Sequence, residues 1–454
     1  MDLQQAIPGQ ARVSNPVKEY HNKFKDMETA KKLKTAISKG KNPVFQDLYG
    51  SDPETAGRQS SIWKKLIGHF EERYGGDDDL YLFSSPGRTE IGGNHTDHNL
   101  GRVLAGSVSL DNIAVASPNG SDIIRVDSAG YPSFEVDIND TTVHENEKFT
   151  SASLARGMVA GLKNAGHRCG GFNACIEGRV PKGSGLSSSA SFEVLIGVII
   201  SHLFNEGEID PLHIAKTGQF AENNYFGKPC GLMDQTACAT GGLITIDFKD
   251  PSDPLVKKVD FDFRTTGYSL VITDTGGDHA DLNEDYASVP ADMTSVAAAL
   301  GSSALRQVKF DDILKAVPDL RKKTGDRAIL RAYHYHQDNE RVVRQVEALE
   351  KGDFESFLNM VVESGYSSFM YNQNIHSPHS IREQGVALGL AMSEMLLSDK
   401  GAWRVHGGGF AGTIQAFVPG ELLDTYIGTM EHIFGRGACS NLTIREKGAI
   451  RLEL

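Results

Sequence analysis

Residues 181–190 read Pro-Lys-Gly-Ser-Gly-Leu-Ser-Ser-Ser-Ala and run straight into an apolar stretch. Glycines let a backbone close on an anion, and successive amides form a concave site for it. The helix predicted over 190–204 adds unpaired amides and the positive end of its dipole. Gly183, Ser184, Gly185, Leu186, Ser187, Ser188, Ser189 and Ala190 therefore form a candidate phosphate loop. Its serine hydroxyls can bind phosphate oxygens or a magnesium ion. No Gly-Lys-Ser/Thr closes the loop, so it is not a Walker A sequence. A serine-rich turn that merely caps the helix is the plain alternative.

A second concentration of chemistry is Pro-Gly-Arg-Thr-Glu-Ile-Gly-Gly-Asn-His-Thr-Asp-His-Asn at 86–99. Arg88 could hold phosphate or bias the ionisation of a carboxylate, and Asp97 could accept hydrogen bonds from sugar hydroxyls. His95 and His98 invite a metal reading, but no third ligand stands at a recognisable spacing. Downstream come Glu222 and, within Cys-Gly-Leu-Met-Asp-Gln at 230–235, Asp234. Phosphoryl transfer needs one acid to hold magnesium and another near the attacking hydroxyl. Glu222 reads equally well as a surface charge on a helix. Asp234, among Met233 and Cys230, is harder to dismiss, because a charge in apolar company needs a reason. A third cluster, His-Gly-Gly-Gly-Phe-Ala-Gly at 406–412, suits close packing against a nucleotide or a tight turn at a strand start.

The elements that position these groups follow from pattern. Residues 1 to 60 are polar, punctuated by glycine and proline, and predict an extension of short helices wrapped on the surface. Apolar residues at Ile62, Leu66, Ile67 and Phe70 predict a helix from Ser61 to Gly75. A short strand, a long turn-rich loop from 86 and a second apolar segment come next. Further strands are predicted over 243–247 and 268–273, with helices over 152–165, 327–353 and 422–434. Strands and helices mix in both halves, which predicts an α+β protein. The division expected is an extension at 1–60, one domain at 61–260 and another at 261–454.

A chain of 454 residues suits two domains, and 39% hydrophobic content supplies their cores. A formal net charge of -13 argues against nucleic-acid or anionic-membrane partners. Five cysteines without a Cys-x-x-Cys spacing suggest neither a zinc ribbon nor a disulfide framework. With no apolar run of signal or membrane length, a cytoplasmic location is expected.

Taken together these clusters resemble the galactokinase branch of the GHMP kinases. The segment 86–104 is similar to the family's sugar loop, 183–190 to its phosphate loop and 407–412 to its third motif. Ala221-Glu222 with Cys230 to Gln235 keeps the family spacing, as does His279 with Tyr286. The resemblance covers about 60–454 and implies two α+β lobes with the site between them. It implies an ATP- and Mg2+-dependent sugar 1-kinase, most simply one for galactose. Asp234 would sit against the anomeric hydroxyl as base or electrostatic partner, with Arg88 keeping it ionised. Glu222 with Ser188 or Ser189 would hold magnesium. Arg88, Asn94, His95, Asp97, Asp234 and Tyr286 would line the sugar pocket. The partners implied are a small-molecule sugar and ATP, on a monomer or weak homodimer.

The chain departs from the family at Asn94, where a glutamate lies toward the C6 end of the sugar, and at His98, where tyrosine is usual. A neutral amide there would tolerate a uronic acid, so a galacturonate or N-acetylhexosamine kinase is the alternative. A non-catalytic sugar- and ATP-binding sensor is disfavoured, because Ser189, Ala190 and Asp234 are all present.

Overall fold

The structure, a computed structural model, describes residues 29–38, 43–50, 52–76, 79–181, 185–277 and 282–454. Its strands are β1 Tyr81–Gly92, β2 Arg102–Pro118, β3 Ile123–Ser128, β4 Phe134–Asp137, β5 Phe172–Gly178, β6 Leu243–Asp247, β7 Leu255–Val259, β8 Tyr268–Asp274, β9 Ala402–Val405, β10 Thr413–Pro419, β11 Cys439–Leu442 and β12 Ile450–Leu452. They form two sheets. The first runs β12-β1-β2-β5-β3-β4, with β6 on the other half of the long β2 and β7 beyond it. The second is β11-β8-β10-β9, antiparallel throughout.

Successive side chains of a strand point to opposite faces, and in β1 and β2 both faces are covered. Phe83, Ala114 and Ala116 join a core built with the helices Ser151–Asn164, Ser188–Phe204, Pro211–Ala221 and Met233–Thr240. Leu82, Ile113 and Val115 join another on the opposite face. At Leu82–Phe83 and Ile113–Ala116 these strands therefore read as unbroken apolar stretches rather than as an alternating pattern.

The opposite face is covered by the helices Ala30–Ser38, Pro43–Tyr49 and Pro53–Tyr74. The first two belong to the predicted extension; residues 1–28, 39–42 and 51 of that extension lie outside the described residues. Ala30, Leu33, Ile37, Phe45 and Leu48 are buried with Trp63, Leu66, Ile67 and Phe70. The third helix starts at Pro53 rather than at Ser61. Asp52 caps it, accepting from the Thr55 amide at 2.8 Å, and Pro53 sits in the first turn, where a missing N–H is tolerated.

The second correction concerns residues 86–92. A loop is predicted there, but β1 continues to Gly92, paired with β2. Register irregularities between Pro86 and Arg88 and between Glu90 and Gly92 absorb the proline and glycines. Arg88 and Glu90 thus stand two apart on a strand, on one face.

Around the second sheet lie the helices Asp326–Glu350, Phe354–Ser367, Gly385–Leu397 and Leu423–Phe434. Polar contacts stitch this part to β1. Arg404 on β9, fully buried, donates to Glu90 Oε1 at 2.6 Å and to the Ile91 carbonyl at 2.7 Å. The Asn94 amide donates to Asp338 Oδ2 at 2.8 Å, and His334 Nε2 donates to the Asn94 carbonyl at 2.9 Å. These contacts tie the second sheet and the helix Asp326–Glu350 to the end of β1.

Candidate active site

The helix Ser188–Phe204 begins in an unusual way. Ser187, at its N-cap position, has φ 63°, a left-handed conformation costly for a serine, and its side chain makes no cap bond to the helix. Instead the hydroxyl donates to Asp234 Oδ2. The amides of the first helical turn are left without a side-chain cap from Ser187, ready for an anion. Gly185 precedes it at φ +70°, where a Cβ would meet His406 Nδ1 at 2.8 Å. Glycine is required there both by backbone conformation and by space.

Asp234 stands in the first turn of the helix Met233–Thr240. Arg88 reaches it from β1 with two parallel bonds, Nε to Oδ1 at 2.6 Å and Nη2 to Oδ2 at 2.8 Å. Arg88 Nη1 also donates to the Gly185 carbonyl, and its amide to the Leu186 carbonyl at 3.0 Å. One guanidinium thus ties the carboxylate to the phosphate loop. Burial pushes the Asp234 carboxyl up, but the Arg88 charge and the hydrogen bonds from Arg88 and Ser187 outweigh it and hold it below its ordinary value. The carboxylate is ionised at neutral pH, with its side chain 26% exposed to the cavity.

The second acid occupies a separate corner. Glu222 is buried where the helix Pro211–Ala221 widens into a π turn over Glu222–Phe226, a deformation common at functional sites. Ser189 Oγ donates to Glu222 Oε1 at 3.0 Å. Gln235 Nε2 lies 3.0 Å from both Glu222 Oε2 and Glu193 Oε2. Burial, then the charge of Glu222, pushes the Glu193 carboxyl well up. The Ser189–Glu222 pair offers hard oxygen donors of the kind magnesium uses, one carboxylate with a hydroxyl beside a phosphate site. Among the described residues no group of three or more His, Cys, Asp or Glu side chains could hold a metal unaided.

One cavity of about 690 Å³ collects these groups. Arg88, His95, Asp97, Gly185, Ser187, Ser188, Ser189, Glu222, Asp234 and Tyr286 all line it. Leu186 and Ala190 are fully buried beneath the loop, and Gly183 and Ser184 lie outside the described residues, as does His279. His95 donates from Nε2 to the Gly408 carbonyl at 2.9 Å and packs on Tyr286, ring centroids 5.1 Å apart. Burial, then the neighbouring His98, pushes the His95 imidazole down to about 3, so it is neutral. A Cβ at Gly408 would meet the Tyr286 ring at 2.3 Å, and one at Gly409 the Asn374 carbonyl at 2.0 Å, so two glycines of the cluster allow close packing there.

Asn94 is not brought to the cavity. It is fully buried, its Nδ2 donating to Glu90 Oε1 at 3.0 Å and the Gly407 carbonyl at 2.8 Å. Its Oδ1 accepts from Asn374 at 2.9 Å and Ser368 at 3.3 Å. The wall position is taken instead by Glu90, which lines the cavity and pairs with Arg404. Reading 86–92 as a loop hid this residue. The signal available was the strand period of two, which puts Glu90 on the face of Arg88. Gln235 and Glu193 were missed, although Glu193, a charge within the apolar run 190–200, carries the same signal that picks out Asp234.

A carboxylate clamped by arginine, a glycine-serine loop opening a helix and a carboxylate–hydroxyl pair beside it meet in one cavity, an arrangement suited to a small-molecule kinase of the GHMP type. The comparisons agree. The family model for the GHMP kinases N terminal domain matches residues 153–242, and that for the galactokinase galactose-binding signature matches 68–118. A galactokinase from Streptomyces coelicolor is 30% identical over 393 residues, 86% of this chain and 91% of that protein. The solved galactokinase of Lactococcus lactis, complexed with galactose, superposes with a TM-score of 0.72 at 23% identity, covering 86% of this chain and 100% of that one. The mevalonate kinase of Methanococcus jannaschii superposes less closely, with a TM-score of 0.58 at 13% identity over 80% of this chain and 98% of that one. The chain belongs to the galactokinase family.

Proposed function

We propose that the chain transfers the γ-phosphoryl group of ATP to the anomeric hydroxyl of galactose, with Asp234 and Arg88 as its catalytic pair. The observation that carries this reading is the two-bond clamp of Arg88 on Asp234 at the edge of the phosphate loop. ATP phosphates would lie on the amides from Gly185 to Ala190. Asp234, already ionised, accepts the hydrogen bond from the sugar hydroxyl and takes its proton as that oxygen bonds to phosphorus and the bond to the ADP oxygen breaks. Arg88 keeps Asp234 charged and stabilises charge on the moving group. Glu222 and Ser189 would hold Mg2+, which when bound neutralises phosphate charge.

The sugar would rest on Glu90, His95, Asp97 and Tyr286. Neutral His95 and the Tyr286 phenol, pushed up first by burial and then by Asp97, act as hydrogen-bonding groups rather than charges. A uronate carboxylate would face both Glu90 and Asp97, so a neutral sugar fits this wall better than galacturonate. Among the described residues no helix is long and apolar enough to cross a membrane. The test is ATP consumption with magnesium across galactose, N-acetylgalactosamine, galacturonate and glucose. Turnover on galactose supports the reading; preference for galacturonate, or silence on every sugar, refutes it.

A further inference from the structure

The cavity does not explain the buried polar cluster behind the phosphate loop, where side chains from the extension reach the sheet. Tyr49, at the end of the helix Pro43–Tyr49, donates its hydroxyl to Asp111 Oδ2 at 2.8 Å. Trp63 Nε1 donates to the same hydroxyl at 3.2 Å. Asp111 is fully buried on β2 and pairs through Oδ1 with Arg179 Nη2 at 2.7 Å. The Arg179 guanidinium also lies over the Tyr49 ring, 5.3 Å from its centroid, and donates from Nη1 to Gln59 Oε1 at 2.5 Å. Arg179 is thus gripped on three sides, by an ion pair, a ring face and an amide oxygen.

Its place in the chain gives that grip a consequence. Arg179 follows the last residue of β5, Gly178, and stands immediately before Val180 and Pro181, where the phosphate loop departs. The neighbouring Asn112 completes the junction: its Oδ1 accepts from the Arg179 and Val180 amides at 3.1 and 3.3 Å, and its Nδ2 donates to the Ser188 carbonyl at 3.4 Å. Both ends of the loop are therefore referred to adjacent residues, Asp111 and Asn112. Asp111 is held by Tyr49 of the extension together with Ser84 and Arg445, which bond the same Oδ2.

We propose that Tyr49 and Gln59 are positioning residues for the nucleotide. Acting through Asp111 and Arg179, they fix the strand end from which the phosphate loop springs. This rests on the reading of 181–190 as the ATP phosphate site. It assigns the extension a task in substrate binding beyond covering the sheet.

The experiment compares the full-length parent with Tyr49→Phe, which keeps the ring over Arg179, Gln59→Leu, and the two combined. ADP affinity is measured by calorimetry without sugar, beside KM for ATP and for galactose and thermal midpoints. Losing hydrogen bonds to a buried charge at this distance should weaken ADP binding and raise KM for ATP in the double variant by about threefold to tenfold. KM for galactose should stay within about twofold. Gln59→Glu, which keeps an acceptor for Arg179, should restore ADP affinity. Unchanged ADP affinity, a parent that binds no ADP, or equal rises in both KM values with a fallen thermal midpoint would each overturn the proposal. The parent's turnover on galactose tests the kinase reading separately.

Discussion

Replacing Asp234 by asparagine keeps the shape of the side chain and removes its charge. The structure lets the consequences be separated. The amide can still face the sugar hydroxyl, but it cannot take a proton, and it leaves Arg88, itself 8% exposed, without its counter-charge. Loss of a general base costs about a hundredfold to ten-thousandfold in turnover. Breaking a buried ion pair from one side costs about 3–5 kcal/mol when both groups are enclosed. Asp234 is 26% exposed, so water screens part of that, and a loss nearer 1–2 kcal/mol is expected. The charge also sets a pH window. Because the folded carboxyl lies below its ordinary value, Asp234 contributes stability that is present above about pH 4 and is lost as pH falls through the folded value. Asp234→Asn should lack this part of the acid limb. The assays are ADP release at saturating ATP and galactose, ADP calorimetry, and urea unfolding from pH 7 to pH 3. Turnover at the parent rate would refute the catalytic assignment. Retained turnover with a large stability loss would make the clamp structural only.

Glu222→Gln should raise the magnesium concentration for half-maximal rate by about tenfold, in keeping with loss of a ligand charge; an unchanged magnesium titration would count against its role. Glu90→Gln removes the carboxylate from the pocket wall, so the ratio of kcat/KM for galacturonate over galactose should rise by at least about tenfold. A flat ratio would place Glu90 outside sugar selection. His95 stays neutral down to about pH 3 in the fold while an unfolded chain protonates near pH 6.5, so the folded state loses up to about 1.4 kcal/mol per pH unit from this group on acidification. His95→Gln, which can still donate to Gly408, should lose stability less steeply between pH 6 and pH 4 by urea titration; parallel slopes would refute that assignment.

Much of this site was legible because its chemistry is local. A run of glycines and serines before an apolar helix and Asp234, a charge in apolar company, both pick out residues that the structure brings to one cavity. Asn94 and Glu90 were not legible, because which of them meets the cavity depends on strand continuity through Pro86, which two register irregularities permit. The start at Pro53 was hidden because proline and glycine there look like punctuation, whereas Asp52 turns the proline into a helix beginning. The extension looked like surface because its inward residues are sparse. Only their packing against Trp63 and Ile113 shows them as a second cover for the sheet.

The pairing of β12 with β1 also bears on how the fold is reached. Leu82 meets Leu452, some 370 residues apart along the chain, and the bridge from Val108 to Ile444 spans nearly as much. Contacts of such separation slow folding, because loop closure must precede their reward. At ribosomal speeds of about 5–20 residues per second, roughly 20–70 s pass between the synthesis of these two strands. For that interval the strand bearing Arg88 has one open edge, a surface on which another chain can add itself. The nascent chain is therefore exposed to aggregation along β1, and a shortened chain lacking β12 would keep that exposure for good.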